Sequence, residues 1–131
     1  MLLGKFLVAA ACALCSLQAP AAGLGPTDYG YLDKAQVDAK TGRATLFLVI
    51  DRPLEDGLTK PKVRSKMLAY HQWVFIDREL TKRFPDAKPE RGVRLVILHP
   101  QVRNALGTAV LEQLTRYARE LNFEPLARSF P

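Results

Sequence analysis

An aspartate that orients a histidine makes a general base, and Asp51 and His99 are this chain's candidates for such a pair. Each follows an apolar run, Leu46 to Ile50 for the first and Leu95 to Leu98 for the second. If both runs are parallel strands, the two side chains lie at the carboxyl edge of one sheet, where open α/β sheets take their ligands. Arg52 and Arg103 stand close by in sequence and could hold an anionic substrate. That set describes a small hydrolase-like enzyme. The plainer reading is that Asp-x-Pro and His-Pro simply end strands. An activated serine is not evident, because Ser65 falls on a helix and Ser129 in the tail.

A second constellation is electrostatic. Lys60, Lys62, Arg64 and Lys66 crowd the first turns of a helix, where cations oppose the helix dipole, so helix stability does not explain them. The free N–H groups of that helix end would add to the pull on anions. With Arg52 and Arg103 they could form one basic binding patch. The alternative is a solvated face with its cations splayed apart.

Other chemistries find little support. His71 and His99 are the only histidines, and neither has a second ligand at helical or short-loop spacing, so no metal site is expected. Gly23 and Gly25 precede no strand–helix unit, so no phosphate loop and no cofactor are expected. Nucleic acid is not an expected partner, since Tyr70 and Trp73 have the spacing of core residues rather than of stacking platforms.

Several elements must position these groups. Tyr29 to Val37 reads as an edge strand, and Asp38 to Arg43 as a hairpin loop with Gly42 at positive φ. Ala44 to Ile50 and Val93 to Leu98 read as central strands. Between them Thr59 can cap a long helix, with Pro61 in its first turn and Val63, Met67, Tyr70, Trp73, Val74 and Leu80 on its apolar stripe. Leu68 and Phe75 point away from that stripe, and Asp77 lies inside it. A break near Ile76-Asp77, with Asp77 capping a second short helix, accounts for these misfits. His71 falls on the polar flank and should face solvent. The last helix starts at Asn104 or Thr108, buries Leu106, Val110, Leu114, Tyr117, Ala118 and Leu121, and ends on a left-handed Asn122. Phe123 to Phe130 can add a final strand, which Pro125 confines to an edge. The expected fold is a two-layer α/β sandwich, ββαβα(β), with both helices on one face of a small mixed sheet and a right-handed crossover between parallel strands. An uncovered apolar opposite face, around Phe47 and Val49, would be a partner site.

The run Met67-Leu68-Ala69-Tyr70, the turn Phe84-Pro85-Asp86-Ala87-Lys88 and the strand Val93-Arg94-Leu95-Val96-Ile97 precede an amphipathic closing helix. In these the chain resembles a family of small bacterial ββαβα domains of unknown function, over roughly Ala35 to Pro125. The resemblance implies the fold and carries no activity, and a leader departs from the family's usual form.

Residues 1–21 read as that leader. Lys5 is followed by an apolar block, Phe6 to Leu17, and by the small residues of Ala19-Pro20-Ala21, the pattern of a cleaved secretory signal. The block is shorter than the roughly 20 residues that cross a bilayer, so an integral membrane protein is not expected after cleavage. Cleavage would leave a cysteine-free mature chain in the periplasm or outside the cell, a loose lead over 22–28 and one domain over 29–131. The net charge of +6 would drop only by Lys5, an excess that suits an anionic partner. The leading expectation is therefore an exported, non-enzymatic binding or adaptor domain contacting an anionic or protein partner. Self-association into a homodimer follows if Leu68 and Phe75 are exposed.

Overall fold

The computed structural model describes residues 33–130. The leader, the lead and residues 29–32 of the expected first strand lie outside the described residues. One expectation is corrected by composition: the chain is not cysteine-free, since it carries two cysteines, Cys12 and Cys15.

Four strands form one sheet: β1 (Lys34–Val37), β2 (Ala44–Val49), β3 (Val93–His99) and β4 (Phe123–Ser129), side by side in that order. The first pair is antiparallel, closed by the Asp38–Arg43 turn in which Gly42 takes φ 78°. The β2–β3 and β3–β4 pairs are parallel, so each must be joined by a crossover. The first crossover carries α1 (Thr59–His71) and α2 (Glu79–Arg83), and the second carries α3 (Ala105–Glu120). The sheet advances in one direction, so right-handed crossovers put all three helices on one face. The fold is the expected small α+β domain with helices packed on one side of a mixed sheet.

Strand alternation shows how that core forms. Ala44, Leu46 and Leu48 of β2, with Val93, Leu95 and Ile97 of β3, point to the helices and are almost fully buried. Val63, Met67, Tyr70, Val74, Leu80, Leu114 and Ala118 meet them from the other layer.

The break in the long helix falls where the periodicity fails, although the device differs from the one expected. After His71 the chain makes a π-helical turn over Gln72–Ile76 and then places Arg78 at φ 58° before α2. Asp77 does not cap α2, which starts without any side-chain cap. The wider turn shifts the helical phase, and Phe75 thereby swings inward against Phe123, with ring centroids 5.8 Å apart. Leu68 stays outside, 48% exposed.

Three further expectations are corrected. Thr59 is not the cap of α1; its hydroxyl donates to the Pro53 carbonyl (2.7 Å), while the Asp56 carboxylate accepts from the Leu58 N–H. His71 does not face solvent alone, because its Nδ1 lies 2.9 Å from the Leu121 carbonyl and ties α1 to the end of α3. Leu106 is 56% exposed rather than core. The cap of α3 is Asn104, whose side chain accepts from the N–H groups of Leu106 and Gly107, and Asn122 stops the chain at φ 69°.

Candidate functional site

The carboxyl edge of the sheet holds the proposed acid–base pair but does not join it. Leu98 accepts a hydrogen bond from the Ile50 N–H, which continues the β2–β3 register and sets Ile50, not Asp51, beside His99. Side chains alternate, so this one-residue offset carries Asp51 off the helix-covered face on which His99 lies. Asp51 is exposed and His99 is 5% exposed. The His99 Nδ1 sits 2.7 Å from the Pro100 carbonyl, so its orienting partner is backbone rather than a carboxylate. No hydrogen bond links Asp51 to His99 among the described residues. Their expected pairing is thus replaced by a strand-end histidine held by its own turn.

The neighbouring anion site is filled by the protein itself. Glu55, on the loop after β2, accepts from the Arg103 N–H at 2.8 Å, and a Cβ at Gly107 would overlap its carboxylate. The N-terminus of α3 is therefore neutralised from within. The Arg103 N–H holds the Glu55 carboxyl below the usual carboxylate range against the opposing effect of burial, helped by backbone N–H groups at Glu55 and Asn104 and by the Arg103 charge.

Nor do the other predicted cations form one open patch. Lys66 lies 2.7 Å from the Asp33 carboxylate and is 18% exposed. Lys60 donates to the Gln113 side chain at 2.6 Å, and the Arg64 guanidinium stacks 4.4 Å above the Tyr117 ring. Arg52 pairs with Asp56 at 3.4 Å, and Lys62 also has an interaction. Lys60 and Arg64 thus join α1 to α3, and Lys66 joins it to Asp33 just ahead of β1.

Lys66 belongs to a cluster that closes one side of the sheet. Among the described residues β1 pairs with β2 only as far as Phe47, so the last backbone groups of β2 have no described strand partner on that side. The Asp33 carboxylate accepts from the Val49 N–H at 2.7 Å, and the Tyr70 hydroxyl lies 3.0 Å from the Phe47 carbonyl. Tyr70 in turn accepts from the Asp33 N–H at 3.0 Å. Burial pushes the Tyr70 phenol well above its ordinary pKa, and the Asp33 charge adds to this.

Among the described residues the opposite edge is left open. β4 is seven residues long and, among these residues, pairs only with β3. The Phe130 N–H donates to the His99 carbonyl at 2.8 Å, and His99 is in register with Ser129. In a parallel ladder this fixes the phase: the even residues of β4 bond inward, and Pro125, Ala127 and Ser129 present their backbone groups outward. Proline has no N–H to present. Ala127 and Ser129 each keep a donor and an acceptor.

Beside this edge runs a groove of about 410 Å³ between β4 and α3, lined by Ala127, Leu111, Thr115, Glu112, Arg116 and Arg119. Arg116 and Arg119 are exposed, as is Arg128 on the strand's other face. The guanidinium groups of these three arginines enter no hydrogen bond, ion pair or ring contact among the described residues, in contrast to that of Arg43, which pairs with Glu124 at the base of the strand. In the sequence they stand outside the apolar periodicity that marks α3. The available signal was two arginines three residues apart on the polar flank, followed by an edge strand marked by Pro125.

The sheet face away from the helices carries a cross-strand row, Phe47, Val96 and Leu126, with Val49 and Leu98 beside it. No described helix covers this face. Val49 and Leu126 are each 36% exposed, whereas Val96 at the centre is 6% exposed.

Among the described residues no helix is long and apolar enough to cross a membrane, and no group of three histidine, cysteine or acidic side chains could hold a metal ion. Comparison with protein families, curated proteins and solved structures finds no match for this chain.

Proposed function

We propose that this protein is an exported, non-enzymatic binding domain that holds an acidic polypeptide partner along the α3–β4 edge. The carrying observation is the set Arg116, Arg119 and Arg128, three exposed guanidinium groups without a partner among the described residues, beside the outer edge of β4 and a groove. Other cations are bonded within the fold, as at Lys66–Asp33 and Arg52–Asp56. Exposed guanidinium groups suit carboxylates because they offer two parallel donors to two acceptor oxygens. Export is supported by the leader pattern of Lys5, the Phe6–Leu17 block and Ala19-Pro20-Ala21.

A fluorescent poly-glutamate peptide titrated onto the protein at two salt concentrations tests this reading. Binding should weaken with salt, and Arg116→Glu with Arg119→Glu should abolish it, while Lys60→Glu with Lys62→Glu should leave most of it. Loss confined to the Lys60 and Lys62 variant would move the site back to the start of α1 and overturn the proposal.

A further inference from the structure

From the phase of the β3–β4 ladder we infer the binding mode: an extended acidic segment adds to the sheet as an antiparallel fifth strand beside β4, bonding to the outward groups of Ala127 and Ser129. This rests on the reading of the α3–β4 edge as an acidic-peptide site and deepens it. Strand addition takes its affinity from main-chain hydrogen bonds and its specificity from alternate side chains. Both elements are present here.

The side-chain pattern of the guest follows from the host. Ala127 and Ser129 share the helix side of the sheet with Ile97 and His99, their register partners, and Ala127 lines the groove. In an antiparallel pair, residues that exchange both hydrogen bonds stand opposite one another and point to the same face. The guest residues bonded to Ala127 and Ser129 therefore project toward Arg116 and Arg119, and these should be acidic. The residues between them project to the other face beside Leu126, which is 36% exposed, and these should be apolar. The preferred guest alternates acidic and apolar residues. Pro125 offers a carbonyl but no N–H, so it sets one end of the added ladder.

A second copy of this chain is the poorer occupant. Two β4 edges joined about a two-fold axis would bring Arg128 toward its own copy and set both arginine-lined grooves along one seam, where like charges repel. An acidic strand meets the same groups with opposite sign.

The test uses an acetylated, amidated octapeptide of alternating Glu and Val, measured by fluorescence anisotropy against the full domain. N-methylation of its Glu amides should weaken binding by at least about tenfold, the scale of losing one or two hydrogen bonds, and N-methylation of its Val amides should not. Ala127→Pro, which removes an outward N–H and no ladder bond, should weaken binding similarly while the urea midpoint moves far less than it does for Leu126→Pro. A matching Lys/Val peptide should not bind. If the Glu/Val peptide binds through Arg116 and Arg119 yet tolerates Glu N-methylation and Ala127→Pro, strand addition is overturned and the acidic-peptide site stands. Sensitivity to Val methylation instead would overturn the antiparallel register. No binding by any acidic probe would overturn both.

Discussion

The two sides of this sheet are finished in opposite ways. On the β1 side the outer strand is four residues long with Lys34 among them, and the stretch of β2 it does not reach is closed by Asp33, Tyr70 and Lys66. On the β4 side a seven-residue strand ends the described sheet with two complete sets of outward backbone groups, and the cations next to it are unspent. Exposed edges invite pairing with other chains, and proteins ordinarily blunt them with charge, proline or short length. Here charge closes one side by forming internal bonds, while on the other it stays available to a partner. Only Pro125 shortens the open edge. The contrast separates stability from binding: side chains at the closed side should matter to folding, and those at the open side should matter to a guest.

Proline scanning of β4 sharpens this contrast most. Leu126→Pro would remove an inward ladder donor and should destabilise the fold by at least the roughly 1–3 kcal/mol of an orphaned polar group, read as a lower urea midpoint. Ala127→Pro, one residue on, should cost about 1 kcal/mol or less, since edge strands tolerate proline where the N–H faces out. Equal effects would mean the phase of the edge is wrong. At the closed side, Asp33→Ala leaves the Val49 N–H and the Lys66 ammonium without their acceptor. It should cost about 1–3 kcal/mol, the range for an orphaned polar group.

Tyr70→Phe comes next, at about 1 kcal/mol for a lost hydroxyl bond. It also has a pH signature. Below about pH 10 the phenol is neutral in both folded and unfolded chains. Above that, the unfolded chain ionises while the folded protein, with its raised Tyr70 pKa, keeps the proton, so stability should fall as pH rises. The Phe variant should lose this part of the alkaline slope in denaturation curves between neutral and strongly basic pH. Arg116→Glu with Arg119→Glu should have the smallest effect on folding, within about 0.5 kcal/mol, because exposed side chains away from such features rarely count for more. A large loss there would show that these arginines hold the fold together and erase the distinction between the two sides.

Periodicity made much of this fold legible before any coordinates. Two continuous apolar runs marked parallel strands, Pro125 marked an edge, Gly42 and Asn122 marked left-handed turns, and the misfit of Asp77 and Phe75 marked a break. What stayed hidden depends on tertiary geometry. Lys66 and Asp33 are 33 residues apart in the chain, so nothing local shows that this cation is spent. Asp51 and His99 both end strands, yet a one-residue register offset parts them, and register between strands joined by a long crossover has no local signature. Thr59 looked like a cap because of its type, but Asp56 reaches the helix start first. The site was harder to see than the fold for the same reason: basic residues are easy to count, while their partners are fixed only by folding.

Amide hydrogen exchange along β4, with and without the Glu/Val peptide, tests the central claim most directly. In the free protein Leu126 and Arg128 should exchange slowly and Ala127 and Ser129 fast, and the peptide should slow the second pair while leaving the first unchanged. Fast exchange at Ala127 and Ser129 that persists at saturating peptide would contradict the open-edge account.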